Sequence, residues 1–422
     1  MLFRVAILAV SLSVYPFGDD ADARSGSTLT LRDALHRALA SNPRLTAAER
    51  DVGIATGRRI QSGAIANPEL SVDVDNVAGS GAYRGGRSVE TLLQISQLIE
   101  LPSKRAARIG AASAGLDSAA WQRQVTRLEI LSETAIAYFS VLGAQRRIEI
   151  FDEHVATLDR LTPLLQRRVD AGAASIAEIA RGQVAADLIR ADRERAKAQL
   201  SNARRDLAIL MGTSTPQFAR VAGRLAVTGS PPSFKSVLQA IDANPQLIRW
   251  SAVRVQREQE LIASRLKAVP DARVGVGWKH ERATGDNAVR VGLSVALPVW
   301  DQNRGDIFAA EQNLEKAHAE QAINKALLIS TAGRAYDTVT GALREIALLR
   351  DSAIPNARRA AEAIESGYTQ GRFTLLELLD AVSSVAQASL REQEAQQQFH
   401  VGIATIEGLV GDPFVLSRAG RR

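Results

Sequence analysis

Asn42-Pro43-Arg44-Leu45 returns 202 residues later as Asn244-Pro245-Gln246-Leu247, and the same shift carries Pro68 onto Pro270. Ala171-Gly172 returns as Gln370-Gly371 at a shift of 199, which also carries Glu178 onto Glu377 and Met211-Gly212 onto Val410-Gly411. The register therefore changes little over almost half of the 422-residue chain. A period this long means that one supersecondary unit is used twice, so the two halves are read as copies.

Each copy divides in the same way. In the first, helical periodicity runs from Leu31 to Ser62, with Thr30 and Asp33 placed to cap it. Pro68 resets the chain to extended structure. Leu70, Val72 and Val74 then alternate with Ser71, Asp73 and Asp75. Beyond Gly79-Ser-Gly-Ala-Tyr-Arg-Gly-Gly86, Val89, Thr91, Leu93 and Ile95 alternate with Ser88, Glu90, Gln94 and Ser96. Period two predicts a hairpin over about 69–98 with one apolar and one polar face. A long helix follows from Ser103 to about Ala171, then a turn at Gly172 and a returning helix from Ser175 to Leu210.

The second copy predicts a helix over 233–267 and strands within 271–298. Val274, Val276 and Trp278 mark the first strand; Val289, Val291, Leu293, Val295 and Leu297 mark the second. A long helix from Gly305 to Gly371 and a last helix ending near Val410 complete it. The domain organisation is thus 29–212 for the first copy, 213–232 for a linker, 233–412 for the second copy and 413–422 for a tail.

Strands of about 9–12 residues match tilted transmembrane strands, but four per chain cannot close a barrel. Three copies would supply twelve. The span 103–171 holds 69 residues, roughly 100 Å at about 1.5 Å each. Spans 31–63 and 174–211 together hold 71, so two shorter helices match one long one. The expected architecture is mainly α with a transmembrane β part: a long α-helical tube beneath a β-barrel. Leu375, Leu378, Val382 and Val385, then Phe399, Ile403, Ile406 and Val410, step by three and four as in coiled assemblies, with polar Ser389, Glu392 and Gln396 holding the register between them. Pro163 and Pro355 predict local bends.

Composition narrows the class. The chain is 46% hydrophobic, 5% aromatic and carries a net charge of +6. Its basic residues are interleaved with acids, as in Arg190-Ala-Asp-Arg-Glu-Arg195, and no basic block is paired with stacking aromatics. Nucleic acid is not an expected partner. The chain has no cysteine, which excludes disulfides, thiolate catalysis and Cys-based metal sites. Arg4, an apolar run from Val5 to Val14, Pro16, Gly18 and Ala21-Asp22-Ala23 predict a signal peptide over 1–23. No later stretch reaches the roughly 18 apolar residues of a transmembrane helix. Entry into a membrane would need a closed barrel.

Strand, strand, long helix, turn, helix, written twice behind a signal peptide, resembles the TolC-like outer-membrane factors over about Leu29 to Asp412. That resemblance implies a homotrimer with a twelve-stranded barrel and a periplasmic α-helical barrel, in the outer membrane of a Gram-negative bacterium. It also implies two partners, a periplasmic adaptor and an inner-membrane RND-type pump. Gln94-Ile-Ser-Gln-Leu-Ile-Glu-Leu-Pro-Ser-Lys-Arg105 and Leu297-Pro-Val-Trp-Asp-Gln-Asn-Arg-Gly305 resemble the branch serving cobalt–zinc–cadmium-type heavy-metal efflux.

Gln370-Gly-Arg-Phe-Thr-Leu-Leu-Glu-Leu-Leu-Asp380 looks like the family's second periplasmic turn, and Ala171-Gly-Ala-Ala-Ser-Ile176 like the first. The resemblance implies gate carboxylates at Glu377 and Asp380 and a latch from Tyr368 and Arg372. Phe373 stands where the family's best-known gate has arginine. Adaptor contacts are implied at Ala171, Gly172, Ser175, Gln370, Gly371 and Thr374. Three copies of Glu377 and Asp380 around a narrow axis would select cations and raise their own pKa values. Arg181 stands opposite Asp380 in the repeat, so the second turn alone carries the full acidic pair.

Other chemistry finds no residues. The histidines (His36, His154, His280, His318, His400) include no helical pair three to five apart, so no metal site is expected. Gly275-Val-Gly277 lacks a third glycine, and neither a phosphate-binding loop nor a Gly-x-Ser-x-Gly elbow occurs. No cofactor and no catalytic residue are expected. The reading is a passive exit duct for heavy-metal cations. Two alternatives stay open: the same duct for drugs or a secreted protein, and a periplasmic coiled-coil adaptor without a pore.

Overall fold

The structure is a computed structural model describing residues 28–227 and 230–411, so the predicted leader and the tail lie outside the described residues. The chain runs β1 (Thr28–Leu29), α1 (Leu31–Ser41), α2 (Pro43–Ser62), β2 (Glu69–Asp75), β3 (Glu90–Ile99), α3 (Pro102–Asp170) and α4 (Ile176–Leu210). It continues with β4 (Arg220–Val221), α5 (Phe234–Ile241), α6 (Pro245–Lys267), β5 (Ala272–Glu281), β6 (Asn287–Val295) and α7 (Arg304–Leu348). A π-turn (Leu349–Ala353), α8 (Ile354–Thr369) and α9 (Leu375–Val410) follow. Two compact units result, each drawing on both copies: one of Leu39–Ile136, Val227–Glu345 and the chain from Gln398; the other of the chain to Ala38, Ala137–Ala226 and Ile346–Gln397.

The repeated Asn-Pro is a restart signal. The continuous helices expected over 31–62 and 233–267 are each broken in two, α1 then α2 and α5 then α6. Asn42 stands in extended backbone (φ −72, ψ 121) and its side chain accepts from Arg44 N–H at 2.9 Å. Asn244 does the same for Gln246 at 2.7 Å. Asparagine caps, and the following proline lacks the donor that a first helical residue would leave unpaired. Upstream, Thr30 caps α1 as expected: its hydroxyl accepts from Asp33 N–H at 3.2 Å and donates to Asp33 Oδ2 at 2.7 Å.

In the first unit the four long strands form one antiparallel sheet of order β2-β3-β5-β6. Leu70, Ile95, Val276 and Val291 lie in one cross-strand row, and Val72, Leu93, Trp278 and Val289 in the next. All eight are exposed, so the apolar face predicted by period two is real and is left uncovered by the described residues. The opposite face carries Ser71, Gln94, Gly277 and Arg290 in one row, then Asp73, Leu92, Lys279 and Ala288. Two lengths differ from expectation. β2 has seven residues, and β6 ends at Val295 short of Leu297. The glycine-rich loop reverses through positive φ at Gly81, Gly85 and Gly86. At the root of the sheet, buried Lys104 pairs with Asp271 at 2.7 Å and donates to the Val269 carbonyl. That tie joins the first turn of α3 to the start of β5. Among the described residues no helix is long and apolar enough to cross a membrane.

In the second unit, β1 and β4 pair in parallel over a core that includes Leu29, Phe139, Leu142, Leu207, Phe218 and Val221. The buried Tyr138 hydroxyl lies 2.5 Å from the Ala222 carbonyl and 3.1 Å from that of Leu29, and burial pushes its pKa up to about 12. Gln145 holds Val221 by both backbone groups, accepting at 2.8 Å and donating at 3.2 Å. Pro163, where a local bend is expected, does not interrupt the helix. α3 runs 69 residues through it, with Leu158, Leu161 and Leu165 buried on either side. One lost hydrogen bond does not break a helix whose buried stripe is intact on both sides. Pro355 differs: the expected Gly305–Gly371 helix is interrupted just before it. Ile354 N–H reaches back five residues to Leu349, a widened turn that accommodates the missing donor.

Candidate gate at the helix turns

The two turns close identically. At the end of α3, Ala173 N–H bonds to Arg168 O at 2.8 Å and Gly172 N–H to Val169 O at 2.9 Å, with Gly172 at φ +70. At the end of α8, Arg372 N–H bonds to Gly367 O at 2.9 Å and Gly371 N–H to Tyr368 O at 3.0 Å, with Gly371 at φ +74. This is a glycine-ended helix stop in both copies, and it needs the left-handed backbone that glycine tolerates. The next helix is capped by Ser175, which accepts from Ala177 N–H at 3.2 Å, or by Thr374.

The copies then diverge. Glu377 folds back as the third residue of a capping box, its carboxylate taking Thr374 N–H at 2.7 Å and the Thr374 hydroxyl at 2.9 Å. Its repeat mate Glu178 instead accepts the Tyr368 hydroxyl at 2.7 Å. The Arg168 guanidinium lies 4.3 Å from the centre of the Tyr368 ring and donates to the Tyr368 and Ala173 carbonyls. Tyr368 is 1% exposed in a core with Leu158, Leu161, Leu165, Ala186, Leu375, Leu378 and Val382. Burial, with the bond to Glu178 adding, pushes its pKa up to about 12.

The geometry pairs Tyr368 with Glu178 and Arg168; Arg372 is exposed and contributes its backbone N–H to the turn. Phe373 packs its ring on Gly367, where a Cβ would stand 2.3 Å from Phe373 Cδ2. Ala171, Gly172, Ser175, Gln370, Gly371 and Thr374 are all exposed at the turns, and Glu377 and Asp380 are exposed on the first turns of α9. Sequence reasoning missed Glu178 and Arg168 as partners, although the 199-residue shift had already aligned Glu178 with Glu377. Among the described residues no group of three His, Cys, Asp or Glu side chains could hold a metal ion.

The Thr374 N–H, followed by its hydroxyl, holds the Glu377 carboxyl below the usual range. This is opposite in sense to the rise expected from a ring of copies. Its capping contribution is present above the ordinary glutamate pKa and is lost as pH falls through the lowered value. T374A removes the hydroxyl from both bonds and is expected to cost about 1 kcal/mol at the start of α9. Amide exchange at 375–378 reads this directly, and unchanged protection there would refute the cap.

An exposed apolar sheet face and paired long helices with matched turns are the parts that the TolC-like architecture calls for. The family model described as outer membrane efflux protein matches residues 34–213 and 239–412. The chain belongs to that family and is an outer-membrane protein. It is 29% identical over 384 residues, 91% of this chain and 90% of the relative, to the cobalt-zinc-cadmium resistance protein CzcC of Cupriavidus metallidurans. It is 22% identical over 443 residues to the outer membrane protein TolC of Escherichia coli, covering 96% of this chain and 85% of that one. Among solved structures it resembles the outer membrane protein VceC of Vibrio cholerae, with a TM-score of 0.77 and 18% identity over 90% of this chain and 96% of that one.

Proposed function

We propose that three copies of this chain close a twelve-stranded barrel and form the passive outer-membrane duct of an RND-type tripartite system exporting heavy-metal cations. One observation carries the reading: a four-stranded antiparallel sheet with an uncovered apolar face and unpaired edges at β2 and β6. Such edges need partners in a membrane, and strands from further copies supply them. The cargo follows from the likeness to CzcC, higher in identity than that to TolC. Transport is downhill through this chain, with energy coming from an inner-membrane pump through a periplasmic adaptor seated on the exposed turns at Ala171–Ser175 and Gln370–Thr374.

At the inner end, Glu377 and Asp380 form the acidic rings and Tyr368, Glu178 and Arg168 the latch behind them. In planar bilayers the open channel is expected to prefer cations. The E377A/D380A double variant should leak more and lose part of that preference; unchanged selectivity removes these residues from the gate. Zinc, cobalt and cadmium sensitivity of a deletion strain, set against drug sensitivity, tests the cargo. Sensitivity to drugs alone would favour the drug-exporting reading, for which the likeness to TolC speaks.

A further inference from the structure

Ile150, Leu158, Leu161 and Leu165 form one buried stripe on α3, and His154 occupies the stripe's place between Ile150 and Leu158. It is 8% exposed, yet among the described residues no hydrogen bond or ion pair reaches its ring. A buried polar group without a partner calls for a reason.

Two cavities of the second unit meet at this residue. One, of about 370 Å³, lies between α3, α4 and α9 and is lined by Phe151, Ile189 and Leu390 among others. The other, of about 300 Å³, lies between α3, α8 and α9 beside Val382 and Val385. His154 and Ala386 border both, so the imidazole stands at the contact of α3 with α9 and has space on either side.

Charged groups line these cavities from three of the four helices. In the first they are Arg147 on α3 and Asp192 and Arg195 on α4. In the second they are Glu153 and Arg160 on α3 and Arg358, Glu362 and Glu365 on α8. α9 brings Ser383, Gln387 and Ser389 but no charge. Asp192 is engaged by Arg195 at 2.9 Å and Glu153 by Arg146 at 2.9 Å. No carboxylate compensates the ring, and burial holds its pKa below the ordinary value of 6.5. Neutral imidazole therefore fits the closed contact and imidazolium does not. The cost of closing over His154 is absent above about pH 6.5, grows as pH falls below it and is complete below the lowered value.

We infer that His154 is an acid-responsive spacer in the seam between α3 and α9: protonated, it draws water into the flanking cavities, loosens α9 on α3 and favours opening of the helix ends. The inference rests on the channel reading and adds a signal to which the channel answers.

Packing and current test it separately. Amide exchange of the reconstituted protein across 150–158 and 382–390, corrected for the intrinsic pH dependence of exchange, is followed from about pH 7.5 to about pH 4 in the parent, H154F and H154Q. Protection equal to the parent's at the upper end shows that a variant keeps its fold. The parent should begin to lose protection below about pH 6.5, ahead of the carboxylates near 4–4.5, and its leak in planar bilayers should rise over the same range. Both variants should lose that early response and keep only the later share due to carboxylates such as Glu377. Loss confined to the carboxylate range in the parent refutes the inference, as does an early response undiminished in the variants. Loosening that depends on His154 without a change in leak also overturns it. A parent that carries no current at any pH would instead sink the channel reading and the link to opening with it, while exchange still reports whether the seam answers to His154.

Discussion

Y368F is expected to raise the leak conductance of the reconstituted channel about tenfold or more. The substitution keeps the aromatic ring beneath Arg168 and the packing against Leu378, and removes the hydroxyl that donates to Glu178 at 2.7 Å. A hydrogen bond to a charged acceptor contributes about 1.5–3 kcal/mol, and each 1.4 kcal/mol shifts a closed-to-open equilibrium about tenfold. E178Q, which keeps an acceptor but removes the charge, should leak less than Y368F. The Tyr368–Glu178 bond, the proposed latch, also has a pH sense. With the folded pKa of Tyr368 raised to about 12 from an ordinary value near 10, its contribution is complete below pH 10 and is lost as pH rises toward 12. Leak should therefore climb on the alkaline side in the parent protein and be less pH-dependent there in Y368F. Single-channel recording at neutral and alkaline pH measures both; a Y368F leak equal to the parent's would dismiss the latch.

The long-range order of this fold was legible because it rests on period and length. Alternation over Leu70–Val74 and Val289–Val295 set the two faces of the sheet, and the spacing between Pro102 and Gly172 set a helix of 69 residues. Local punctuation was harder to weigh. Asn42-Pro43 marks the repeat, and it also ends one helix and caps the next, a meaning that asparagine followed by proline carries by itself. Pro163 and Pro355 look alike in sequence. What separates them is whether packed neighbours hold the helix or the backbone widens into a π-turn, and neither is written locally. The gate shows the same limit. The repeat aligns Glu178 with Glu377, but it cannot say that one caps its own helix while the other reaches Tyr368 190 residues away. Side-chain partnership across helices depends on facing rotation, which a one-dimensional shift does not contain.

L378A should be the most damaging single change at the turns. Leu378 is fully buried at the centre of the core that joins α3, α4, α8 and α9 beside Tyr368. Truncating a buried leucine removes its transfer free energy and leaves a cavity, a cost of about 2–5 kcal/mol. Its neighbour supplies the control: Leu376 is 69% exposed, and L376A should change stability by no more than about 0.5 kcal/mol. Amide exchange across 158–165 and 375–386 would read the difference, and equal effects of the two changes would contradict the placement of α9. Because Tyr368 and Leu378 share one core, their effects should couple. In a double-mutant cycle, L378A combined with Y368F is expected to deviate from additivity by more than about 0.5 kcal/mol, the scatter found for independent sites. Coupling of that size would mean that the latch closes only on an intact core, so that releasing the tyrosine and loosening the helix ends are one event. Strict additivity would separate them, leaving the Tyr368–Glu178 bond as a lock that opens without disturbing the packing beneath it.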